Sequence, residues 1–108
     1  MDKSKLFELS EDVYNIRHKI NDIDSLIESK QRSIEILKEI LEDPTEARLE
    51  VNGQKGHVSA LIEKEVFVKE VVEFTLHMVE RVVIDLQNQR AELDDKLTDM
   101  AERLNEKR

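Results

Sequence analysis

Apolar residues recur along this chain at steps of three and four over two long stretches, parted by one short interruption. In the first stretch the steps pass through Leu6, Leu9, Val13, Ile16, Ile20, Ile23, Ile27, Lys30, Ile34, Leu37 and Leu41, and ten of these eleven positions are apolar. A heptad pattern kept up over five repeats predicts a coiled-coil helix. A strand is excluded because alternation fails at once, as in Ile34-Glu35-Ile36-Leu37. The helix is expected over about residues 4–42, starting near Asp2 or Ser4, with Ser10 a later alternative cap. Lys30, the one polar residue on the seam, reads first as a side chain that carries its charge out to water along an apolar stem. Its other reading is a residue that fixes helix register. Phe7 at the start, and Ile36 and Ile40 near the end, widen the apolar face beyond the seam.

The second stretch is broader. From Leu61 to Leu86 one stripe runs through Val68, Val72, Leu76, Val79, Val83 and Leu86. A second, Phe67, Val71, Phe74, Met78 and Val82, lies roughly a sixth to a quarter of a turn away. A helix packed on a single neighbour needs one stripe about 100° wide. Two stripes call for cover from two directions, and this chain has little else to provide it. After Leu86 the pattern narrows to Arg90, Leu93, Leu97, Met100 and Leu104. The helix is expected over about residues 59–106, with Ser59 as a cap.

Between the two, Asp43-Pro44-Thr45-Glu46 reads as a helix restart, with Asp43 as the cap and Pro44 in the first turn. A short helix to about Val51, ended by Asn52-Gly53, is one reading of residues 43–58. The alternative is a small hairpin in which Leu49-Glu50-Val51 turns at Asn52-Gly53 toward His57-Val58. Gln54-Lys55-Gly56 is the expected site of proteolysis.

Helices of about 40 and nearly 50 residues span about 60 and about 73 Å, and a short connection lets them fold back on each other. With the reversal near residue 50, residue i lies opposite about 100 − i. Lys30 then faces Glu70 and Glu73, and Arg90 falls near Ser10, Glu11 and Asp12. The same arithmetic leaves Leu97, Met100 and Leu104 beyond the first helix, bare unless another chain covers them. The expected fold is therefore all-α: one domain over residues 1–108, a long antiparallel helical hairpin of coiled-coil type, dimerising into a four-helix bundle. Twofold homodimers are the commonest assemblies. The expected interface residues are Phe67, Val71, Phe74, Met78, Val82, Leu97, Met100 and Leu104.

Composition agrees with helix: two Gly, one Pro, no Trp, and 39% charged residues in 108. The net charge of −8 is spread evenly, since residues 2–43 hold 11 acids and 7 bases and residues 59–108 hold 12 and 8. An acidic chain with alternating signs disfavours direct contact with nucleic acid or anionic membrane and permits a basic protein partner. The absence of cysteine removes thiol and disulfide chemistry. No apolar run approaches the ~20 residues of a membrane span, and none near the start resembles a signal peptide; a cytoplasmic protein is expected.

Candidate chemistry is thin. His77 has Glu73 four residues before it and Glu80 three after. The di-iron bundles use Glu-x-x-His with further carboxylates, and helix one offers no facing histidine, so a surface or interface histidine is the simpler reading. His18 and His57 read as exposed. Glu70-x-x-Glu73 and Glu92-x-x-Asp95 resemble the paired acidic motifs of the all-α nucleotide pyrophosphohydrolases, which hold magnesium. On one continuous helix the pairs are about 28 Å apart, too far to share an ion. No phosphate loop follows Gly53 or Gly56, and no nucleophile scaffold is present. Neither an enzyme nor a cofactor is expected.

The function expected is a homo-oligomeric protein–protein interaction module: a scaffold, adaptor or small regulatory subunit, bound to itself and to another protein. The alternative is a small acidic, phage-type inhibitor that occupies a basic, nucleic-acid-binding surface. A third reading is a chaperone-like clamp, because two long helices around a short insert resemble the layout of the prefoldin subunits. The resemblance is to layout alone: the middle of this chain has nothing like the paired hairpins of that family, and no motif carries over.

Overall fold

The three-and-four spacing does produce helix. In a computed structural model, which describes residues 3–106, the chain runs α1 (Lys3–Glu42), β1 (Ala47–Gly53), β2 (Gly56–Ile62) and α2 (Glu65–Glu106). Along α1 every side chain on the seam from Leu9 to Leu41 is buried or half-buried, Lys30 included, while Leu6 stays 48% exposed. The helix stops at Glu42 because Pro44 lacks an N–H and pushes Asp43 out of helical backbone. Pro44 ends one helix here and does not begin another.

The middle of the chain corrects the all-α expectation. Residues 47–62 form a two-stranded antiparallel sheet, and the short helix of residues 43–58 does not occur. Alternation is the reason. Ala47, Leu49 and Val51 alternate with Arg48, Glu50 and Asn52, and Val58, Ala60 and Ile62 alternate with His57, Ser59 and Leu61. A helix would throw Leu49 and Val51 about 200° apart, whereas a strand puts them on one face. The reversal falls at Gln54-Lys55, between the paired glycines Gly53 and Gly56, and not at Asn52-Gly53. No described residue has positive φ, so the left-handed freedom of Asn-Gly is unused. Placing the second helix at Ser59 absorbs β2 into it, which hides the second half of the alternation. That helix starts six residues later, at Glu65. Its first-turn carboxylate suits the positive end of the helix, and the Val68 amide donates to the Lys64 carbonyl at 2.9 Å.

The chain divides into two compact units. The first joins the part of α1 up to Ser29 with the part of α2 from Val83 onward. Here Ile16, Ile20 and Val83 are buried, and Leu86, Leu93, Leu97, Met100 and Leu104 are half-buried. Asp24 on α1 and Arg90 on α2 pair within it at 2.7 Å. The second unit covers Lys30–Val82 and holds the sheet with its flanking helix segments. Its buried residues are Val68, Val72 and Leu76, and Val68 is the one large side chain, among the described residues, with no exposure at all.

Candidate functional site

The two stripes on α2 have different fates. Val68, Val72, Leu76 and Val83 are buried, with Val79 and Leu86 half-buried. The second stripe stands open: Phe67 is 50% exposed, Phe74 66%, Met78 52% and Val82 41%, with only Val71 half-buried. Phenylalanine is among the residues most often fully buried, yet with Phe7 all three in this chain face solvent. Thr75, set among these side chains, turns its hydroxyl back to the Val71 carbonyl at 2.8 Å and so asks nothing of a partner.

The sheet adds to this surface. Its register places Ala47 opposite Ile62, Leu49 opposite Ala60 and Val51 opposite Val58, so one face carries six apolar side chains and no polar one. Leu49, Val51 and Val58 are 45–64% exposed. On the other face Arg48 donates from Nη1 to Ser59 Oγ at 3.1 Å, and the His57 ring bonds the Asn52 side chain. An isolated two-stranded sheet is marginally stable. Between the end of the sheet and the start of the exposed stripe lies an open recess lined by Leu61, Ile62, Phe67 and Val71 together with Glu63, Lys64 and Glu70. The second unit thus carries two exposed apolar patches, the sheet face and the stripe, with a recess between them that also holds charge. Sequence reasoning found the stripe; it held the sheet only as an alternative, with the turn two residues early, and its signal was the alternation in residues 47–51 and 58–62.

The remaining expected interface residues lie elsewhere. Leu97, Met100 and Leu104 belong to the first unit, where each is half-buried within the chain and not left bare. The register explains this: Arg90 reaches Asp24, twelve residues beyond Asp12 on α1. The chain reverses at residues 54–55 and not near 50, so more of α1 is available to that end of α2. As acceptor and then as a neighbouring charge, Asp24 holds the Arg90 guanidinium above its ordinary pKa, with Asp94 adding to the effect.

Polar clusters are small and solvated. His77 Nδ1 lies 3.5 Å from Glu80, and His18 lies 3.8 Å from Asp22 while stacking on Tyr14. Among the described residues no three of His, Cys, Asp and Glu converge as metal ligands, and no polar side-chain atom is buried without a partner. The groove of the first unit between Lys19, Asp22 and Ile23 on α1 and Gln89, Glu92 and Lys96 on α2 is open and carries both charge signs. No helix is long and apolar enough to cross a membrane. The chain matches no family model, no curated protein and no solved structure.

Proposed function

We propose that this protein is a non-enzymatic, homo-oligomeric protein–protein interaction module. Its two long helices pair as an antiparallel coiled-coil hairpin, and two copies meet along the outer stripe of α2 to make a four-helix bundle. The observation that carries this reading is the open stripe of Phe67, Phe74, Met78 and Val82 beside a stripe already buried. Scattered apolar side chains on a surface are ordinary, but a contiguous set marks an interaction site. A scaffold, adaptor or small regulatory subunit built this way binds first to itself and then presents its remaining surface to another protein.

Light scattering at two concentrations tests it. A mass near twice 12.7 kDa that falls toward 12.7 kDa on dilution supports the module. A monomer at both concentrations removes it.

One observation favours a second reading, a clamp for non-native polypeptides: a hairpin stands between the two helices. If the apolar surface of the second unit serves that end, the protein slows the aggregation of a chemically denatured client. No slowing at several-fold excess rejects the clamp. The acidic-inhibitor reading has less support, because acids and bases sit together on one helix, as in Glu65–Lys69 and Asp99–Arg103.

A further inference from the structure

The sheet has two open edges, and they differ in what they offer. Gly53 and Gly56 close the two-residue loop as a hydrogen-bonded pair, which fixes the phase of the whole ladder. The backbone groups of Ala47, Leu49 and Val51 then point toward β2, and those of Arg48, Glu50 and Asn52 point out from the open edge. Along β2 the outward residues are His57, Ser59 and Leu61, with no Asp, Glu, Lys or Arg among them to select a register.

Charge on β1 does select one. For two β1 strands side by side and antiparallel, hydrogen-bonded pairs must come from the outward set. Placing Arg48 opposite Arg48, or Glu50 opposite Glu50, sets like charges face to face, which is destabilising. Placing Glu50 opposite Asn52 gives no more overlap than the register with Arg48 opposite Glu50 and forfeits any ion pair. Placing Arg48 opposite Glu50 of a second copy makes that opposite-charge pair twice, once on each side of a twofold axis. The axis then passes through Leu49, with Ala47 opposite Val51, so the apolar faces of the two sheets join without interruption.

We propose that β1 docks antiparallel on β1 of a second copy, about a twofold axis at Leu49, with Arg48 of each copy opposite Glu50 of the other. The product is a four-stranded sheet in the order β2-β1-β1-β2. This inference rests on the homo-oligomer reading and specifies a contact within it. It disposes of an edge that would otherwise template uncontrolled pairing. It also doubles the apolar face of the sheet made by Ala47, Leu49, Val51, Val58, Ala60 and Ile62.

A single introduced thiol tests the register, because the chain has no cysteine of its own. Leu49 would face its own copy as a non-hydrogen-bonded pair with Cα atoms ~4.5 Å apart, inside the ~4.4–6.8 Å range of a disulfide. Under mild oxidation Leu49→Cys should become a covalent dimer ~tenfold faster than Val58→Cys, although Val58 is the more exposed, at 64% against 45%. Adding Arg48→Glu or Glu50→Arg to Leu49→Cys should abolish the fast cross-link in each alone. A one-to-one mixture of the two should restore it, since each pair is again opposite in charge. Equal rates for the two cysteines, or no rescue in the mixture, in a protein whose mass is that of a dimer, overturns β1 pairing and leaves the interaction module standing. A wild-type monomer at both concentrations together with no fast cross-link overturns both.

Discussion

The two units use the same kinds of residue to different ends. Of the fifteen large apolar side chains that stand exposed among the described residues, ten belong to Lys30–Val82 and five to the unit built from the ends of α1 and α2. In that first unit α2 carries one narrow seam, every member of which is at least half-buried, and an ion pair links the helices at Asp24 and Arg90. In the second unit α2 carries two stripes and buries one. The lesson concerns stripe number more than hydrophobicity: a helix with one stripe is satisfied by one neighbour, and a second stripe is surplus within a single chain.

The strongest way to break the comparison is to attack the buried stripe. Val68→Asp places a charge where exposure is nil and should cost several kcal/mol, enough to unfold the second unit. Circular dichroism should report a large loss of melting temperature. An unchanged melt would mean that Val68 is not part of a core, and the contrast between the stripes would fail.

The exposed stripe comes next in size. Phe74→Ala removes a side chain that is 66% exposed in the single chain, so monomer stability should change by no more than about 0.5 kcal/mol. If the side chain is covered between copies, assembly weakens by about 3 kcal/mol, roughly two decades in the dissociation constant. Sedimentation at several concentrations separates the two. An unshifted constant would turn the stripe from an interface into plain surface.

How much of this was legible follows from the reach of each signal. The seam of α1 and the stripes of α2 are written in side-chain period alone, and the burial of Ile16, Ile20, Val72 and Leu76 falls where the period puts it. The hairpin was half legible. Leu49-Glu50-Val51 alternates, but Pro44 after Asp43 imitates a helix start, and Ser59 imitates a cap within what is β2. Both are local signals, and a strand's real test is its partner, here up to fifteen positions away. Helix register was the least legible. An error of a few residues in the turn moves the opposing residue by twice as many, which accounts for about nine of the fourteen positions between the expected residue 10 and Asp24.

The smallest effect sharpens the other side of the comparison. Asp24→Asn keeps the shape of the side chain and removes the charge that Arg90 meets at 2.7 Å. Both side chains are 40% or more exposed, and solvated pairs of this kind contribute little to stability. The melting temperature should therefore drop slightly at low salt, and the difference from wild type should vanish near ~1 M salt, where charges are screened within ~3 Å. A drop that survives high salt would show that the pair, and not the narrow apolar seam of Leu93, Leu97, Met100 and Leu104, holds the first unit in register. The first unit would then depend on a polar contact where the second depends on apolar cover, and the contrast between them would be one of chemistry as well as of stripe number.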